Sequence, residues 1–176
     1  MDADGQVTAF VAARGTALMA LARLLVRKPP DAEDLVQEAI ARCLPHWEKV
    51  AADPEGYVRR TMVRLAIDRG RRRQRRPELL VDPPDRITPD GTAAVDERLH
   101  VVAALRDLPD RQRVAIVLRY YLDLDERSTA AIMGCAVGTV KSLTSRGLTA
   151  LRAVGVGTEA APAAARPVDA EQEEQR

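Results

Sequence analysis

A chain of 176 residues with 46% hydrophobic and 30% charged residues holds enough apolar material for one ordinary domain or two very small ones, which excludes wholesale disorder. Aromatics are only 3% of the sequence and alternating β-branched runs are scarce, so the composition predicts an all-α protein. Cys43 and Cys135 form no CxxC and are accompanied only by His46 and His100, so neither a disulfide framework nor a metal site is expected and both thiols read as buried and structural. No apolar run near the ~20 residues of a membrane span is read, and the start MDADGQ lacks a basic-then-apolar leader; the expectation is a cytoplasmic protein with no membrane partner.

In chain order, Val7, Phe10, Val11, Leu18, Leu21 and Leu25 recur at helical spacing over 6–26, before the stop at Pro29 and Pro30. Asp31 suits the N-cap of a second helix, with Glu33 and Asp34 in its electropositive first turn. Its apolar positions Leu35, Val36, Ala39, Ile40, Cys43 and Leu44, with Trp47 beyond, leave Asp34, Gln37, Glu38 and Arg42 facing outward. Pro45 ends that helix early. Pro54 opens a third helix over 55–73, in which Val58, Met62, Leu65 and Ala66 form the inner stripe. Arg60, Arg64, Arg71 and Arg75 share one flank within roughly 60° of the wheel.

That helix explains why the net charge of +1 misleads. Residues 57–76 hold nine Arg against one Asp, so the remainder sums to about −7. A segregated positive ridge favours polyanions, with an affinity that falls steeply as salt rises. Residues 77–95 then carry Pro77, Pro83, Pro84, Pro89 and Gly91, a density of breakers that reads as a flexible linker. It divides a block at 5–76 from one at 96–153, and the acidic residues 154–176 read as a disordered tail.

The second block reads as four short helices, 96–107, 110–122, 126–133 and 137–152. In the last pair, Ala130, Gly134 and Val140 have the spacing of a helix-turn-helix: a close crossing, a tight turn and a buried anchor. The final helix puts Val140, Leu143, Gly147, Leu148 and Leu151 inside and Gly138, Lys141, Ser142, Ser145, Arg146 and Thr149 outside. Short hydroxyl side chains interleaved with Lys and Arg are what a helix entering a major groove requires, and Thr139 adds a hydroxyl near the helix N-terminal amides.

The segments DAEDLVQEAIARCLPHW, DPEGYVRRTMVRLAIDRGRRR and LPDRQRVAIVLRYYLDLDERSTAAIMGCAVGTVKSLTSRGLTALR resemble the extracytoplasmic-function (group IV) sigma factors of bacterial RNA polymerase, in particular an actinobacterial SigE-like subgroup. The resemblance implies that 5–76 is sigma region 2 and 96–153 is region 4. By it, Asp34, Leu35, Gln37, Glu38, Arg42 and Leu44 would dock on the polymerase core. Trp47, Lys49, Tyr57, Arg60, Arg64 and Arg71 would capture the −10 element, and Thr139, Lys141, Ser142, Ser145 and Arg146 would read the −35 element. Elements about 17 base pairs apart lie ~58 Å apart along B-form DNA. The linker spans ~65 Å at full extension.

Trp47 fits both a stacking surface for a flipped base and the apolar stripe. Arg64, Ala136 and Pro45 depart from the family pattern, and Ala136 lacks a capping oxygen. The implied partners are core polymerase, promoter DNA and, as in many relatives, an anti-sigma factor; no cofactor is implied. Without a Gly-rich phosphate loop, HExxH or nucleophile elbow, no enzymatic activity is expected. A stand-alone helix-turn-helix regulator is the alternative function.

Overall fold

The computed structural model describes residues 3–50, 52–75 and 93–156. Eight α-helices are found among them, in the order α1 Ala3–Leu25, α2 Asp31–Cys43, α3 Trp47–Val50, α4 Pro54–Arg75, α5 Ala93–Asp107, α6 Asp110–Ile116, α7 Glu126–Met133 and α8 Val137–Ala153, with no strand among the described residues. The linker at 77–92 and the tail at 157–176 lie outside the described residues. At the linker's far end, Ala93 to Val95 already belong to α5. The C-terminal block continues past 153 to Val156, which is 3% exposed and donates its amide to Leu151 at 3.0 Å.

The first block is a bundle of α1, α2 and α4. Leu18, Leu21 and Leu25 of α1, Leu35, Ala39 and Cys43 of α2, and Val58 and Met62 of α4 are each at most 1% exposed. Asp31 is the first helical residue rather than the cap, because a turn at Lys28 and Pro29 already accepts the Asp31 and Ala32 amides and leaves Pro30 at the N-cap. Leu44–His46 forms a 3₁₀ turn with Pro45 in its first positions, which redirects the chain into α3. α1 extends further toward the N-terminus than its core contacts require, and Val11 is 39% exposed where an inward position was expected. Over Gly5–Leu25 the helix has mean hydropathy 1.4, so one helix among the described residues is long and apolar enough to cross a membrane, contrary to the sequence expectation. Arg14 and Arg23 interrupt that stretch, and its second half supplies core residues of the bundle.

In the second block α6 runs into a single π-helical turn, Val117–Tyr121, in place of one continuous α-helix to 122. The Leu122 amide reaches back to Val117 at 3.0 Å, and the Arg119 guanidinium donates to the Leu124 carbonyl. α7 is capped by Asp125, whose Oδ1 accepts the Ser128 amide at 2.7 Å. That hydrogen bond holds the Asp125 carboxyl below its ordinary range. α7 ends on Gly134 in the left-handed conformation (φ 59°, ψ 47°), and the Cys135 amide returns to Ala130 at 3.1 Å. The helix-turn-helix is thereby fixed at both ends of α7. A Cβ on Gly147 would lie 2.5 Å from Ile116 Cδ1, so α8 crosses α6 at close range.

α8 begins at Ala136 in extended conformation with no side-chain cap. Ala136→Ser supplies the missing acceptor, and we expect it to stabilise the protein by about 0.5–2 kcal/mol in urea unfolding monitored by circular dichroism.

Candidate nucleic-acid and polymerase interface

The outer face of α8 carries no core duty. Thr139, Lys141, Ser142, Ser145, Arg146 and Thr149 are all exposed, while Val140, Gly147 and Leu151 are buried. Ser142 donates to the Gly138 carbonyl at 3.1 Å and Thr149 to Ser145 at 3.0 Å, so these hydroxyls satisfy their own helix and keep acceptor lone pairs free. Lys141 Nζ lies 3.5 Å from Glu126 Oε2 on α7, and Arg146 has no carboxylate partner among the described residues. Beside this face, a groove between the π turn and α8 is lined by Arg119, Glu126, Lys141, Ser145 and Arg152. Arg119 and Arg152 were not singled out in the sequence: Arg119 reaches this face from the π turn, and Arg152 lies on the outer stripe of α8 about three turns beyond Lys141.

An exposed pair of this kind is worth ~0.2–1 kcal/mol. Glu126→Gln therefore frees Lys141, and we expect it to raise low-salt binding to an unrelated duplex by up to about fivefold, read by fluorescence anisotropy.

The arginines of α4 divide into two sets. Arg59 pairs with Glu55, Arg69 with Glu38 at 2.7 Å, and Arg73 with Asp110 at 3.3 Å, so these three fasten the fold. Arg60 and Arg71 are exposed and only loosely paired, with Asp53 at 3.4 Å and Asp68 at 3.9 Å. Arg64, Arg72 and Arg75 are exposed with no carboxylate partner among the described residues. A positive ridge thus survives on the flank that the helical wheel assigned to it. Lys49 is exposed nearby in sequence on α3, and Tyr57 is half-buried. Trp47 is different: it is 4% exposed, its ring edge-on to Phe10 with centroids 5.3 Å apart. The indole is held in the bundle and offers no stacking surface.

The outer face of α2 displays Asp34, Gln37 and Arg42, with Leu44 46% exposed where the 3₁₀ turn begins. Leu35 cannot join that face, because it points into the core at 0% exposure. Glu38 accepts from both Arg42 and Arg69 at 2.7 Å. The hydrogen bond from Arg69 is the main reason the Glu38 carboxyl sits below its ordinary 4.5, with the charges of Arg69 and Arg42 adding to it against some desolvation. A lowered carboxyl contributes stability that is complete above its unfolded value and is lost as pH falls through the folded one. Glu38→Gln should therefore reduce stability at pH 7 and flatten the fall in stability below about pH 4.5, measured as urea midpoints across pH.

Cys43 is buried and Cys135 half-buried, so only the first is the enclosed thiol expected. No group of three or more His, Cys, Asp or Glu that could hold a metal is found among the described residues.

Two family descriptions match this chain, Sigma-70 region 2 over residues 10–76 and Sigma-70, region 4 over residues 98–151. The chain is 34% identical over 155 residues to the RNA polymerase sigma-E factor of Streptomyces avermitilis, covering 85% of this chain and 87% of that protein. It is 33% identical over 130 residues to the ECF RNA polymerase sigma factor SigM of Mycobacterium tuberculosis, covering 72% and 65%. Among solved structures it is similar to the sigma factor RpoE in complex with the anti-sigma factor NepR from Bartonella quintana, with a TM-score of 0.61 and 27% identity over 84% of this chain and 94% of that one.

Proposed function

The chain belongs to the sigma-70 family as an ECF-type RNA polymerase sigma factor, and on that premise we propose how its surfaces divide the work. α8 reads the −35 element through Lys141, Ser142, Ser145 and Arg146, with Thr139 contributing at its N-terminal end. The α4 ridge of Arg60, Arg64 and Arg71, with Lys49 and Tyr57, engages the −10 region through phosphate neutralisation. The α2 face of Asp34, Gln37, Glu38, Arg42 and Leu44 docks on the polymerase core, with Leu44 as its apolar anchor in a polar surround. The observation that carries this reading is a helix-turn-helix whose last helix exposes Lys141, Ser142, Ser145 and Arg146 on a face that makes no core contacts.

The reading is non-enzymatic: the protein supplies binding and positioning, and bond making belongs to the polymerase. It places the protein in the cytoplasm, where promoter DNA is. An anti-sigma factor is a further partner, supported by the complex in which the similar RpoE was solved.

The test is transcription from a promoter library by core polymerase with and without the purified chain. Selective initiation at one promoter class is the expected result, and initiation no more selective than with core alone overturns the assignment of surfaces. Tight binding of one operator without polymerase would favour a stand-alone regulator instead.

A further inference from the structure

The groove between the π turn and α8 carries more positive charge than the fold neutralises. Arg119, Lys141 and Arg152 line it against one carboxylate, Glu126, whose Oε2 lies 3.5 Å from Lys141 Nζ. Arg119 donates to the Leu124 carbonyl, and neither it nor Arg152 has a carboxylate within ion-pair distance among the described residues. Lys141 and Arg152 are eleven positions apart on α8, which brings them within about 20° of each other on the wheel and about 16 Å apart along the axis. Leu148, and Tyr120 from the π turn, supply apolar wall between them. The result is an open trough with a cation at each end.

The chain itself supplies a matching anion. Residues 169–174 read Asp-Ala-Glu-Gln-Glu-Glu, four acids in six positions with no base among them. Six extended residues cover about 20 Å, enough to follow the trough from end to end. The fold also fixes the point from which this stretch is tethered. The Val156 amide donates to the Leu151 carbonyl at 3.0 Å and the residue is 3% exposed, so the chain leaves α8 beside Arg152. Residues 157–168 between that anchor and Asp169 can extend to roughly 40 Å, well beyond the far end of the trough at Lys141.

We propose that the acidic stretch 169–174 of this chain docks in the groove of Arg119, Lys141 and Arg152 and competes there with promoter DNA for the α8 face. The docking stands on charge, length and tether; the competition rests on the assignment of α8 to the −35 element under the proposed function.

Exposed ion pairs of this kind are individually weak. Tethering changes the comparison, because the acids are presented at an effective concentration on the order of millimolar whatever the concentration of the protein. Arg64, Arg72 and Arg75 of α4 form the other cationic surface of the chain. The tether favours the groove over that ridge, since Arg152 lies four residues before the anchored Val156. A stretch docked between Lys141 and Arg152 covers Lys141 and Ser145, two of the side chains assigned to promoter reading.

Carbodiimide cross-linking tests the docking, because it joins a Lys ammonium to a carboxylate only where the two are in contact, and the chain has three lysines, Lys28, Lys49 and Lys141. In the monomer of the full chain at low salt, a link from Lys141 to residues 169–174 is expected beside the Lys141–Glu126 link, for which the 3.5 Å pair serves as internal control. Anisotropy on a −35 duplex tests the competition. Combining Asp169→Asn, Glu171→Gln, Glu173→Gln and Glu174→Gln should tighten binding about three- to tenfold at low salt, and the gain should shrink as salt rises. In an Arg152→Gln background the same four substitutions should gain less than about twofold. A tail that acts only through the net charge of the chain gives the full gain in both backgrounds, which overturns the docking. A Glu126 link with no tail link overturns it as well, as do tail links confined to Lys28 or Lys49, which put the acids on the first block. A tail link to Lys141 with duplex affinity unchanged by neutralising the acids overturns the competition alone. Retention of the wild-type chain by core polymerase, measured alongside, tests the sigma-factor reading separately, and the cross-link does not depend on it.

Discussion

Holoenzyme in which Lys141 and Arg146 are both replaced by Ala is expected to bind a −35-containing duplex between about 30-fold and 10⁴-fold more weakly than the wild type. Each contact to a base edge or a positioned phosphate is worth about 1–3 kcal/mol, and the two positions sit five residues apart on α8, far enough to act largely independently. Both side chains are exposed and neither packs on the core, so urea stability should change by less than about 0.5 kcal/mol. The single substitutions separate the roles. A residue reading a base relaxes selectivity at one promoter position when removed, whereas one holding a phosphate weakens all sequences alike and lowers the salt slope by about one unit. Anisotropy on matched and scrambled duplexes at several salt concentrations measures both, and a loss under threefold for the double variant would remove α8 from promoter reading.

Much of this surface is legible without coordinates because punctuation and periodicity are local. Pro29 and Pro30, Pro54, Pro109 and Gly134 fix where helices start and stop, and the described helices follow them within a few residues. The outer stripe of α8 emerges from 3.6-residue periodicity alone, and the exposed flank of Arg60, Arg64, Arg71 and Arg75 does so as well. Leu35 and Trp47 show where family resemblance and periodicity compete. Both lie on inner stripes, and burial decided against the interface roles that the resemblance implies for them.

What stays hidden is non-local. The π turn at Val117–Tyr121 has no local marker, since its sequence continues a helical apolar pattern. The division of α4 arginines into fasteners and free cations depends on Glu38, Glu55 and Asp110, two of which come from other helices. The bond from Arg113 to Leu25 joins positions that no period connects, and a lone Arg in a helix ordinarily reads as surface.

Trp47 yields the largest expected loss of stability. It is the only tryptophan of the chain, 4% exposed, with Phe10 edge-on at 5.3 Å, and it seats the short α3 against the bundle where Pro45 has broken α2. Trp47→Ala removes the whole aromatic body from a site that can collapse only partly, which predicts a cost of about 3–5 kcal/mol. Trp47→Phe keeps an aromatic edge for Phe10 and should lose clearly less. Because Trp47→Ala also removes the intrinsic fluorophore, unfolding of all three proteins is best followed by far-ultraviolet circular dichroism in urea. A stacking role on DNA predicts the opposite pattern: full stability in Trp47→Ala, with promoter opening impaired at temperatures where the protein is folded. A cost below about 1 kcal/mol, together with such an opening defect, would return Trp47 to the −10 surface.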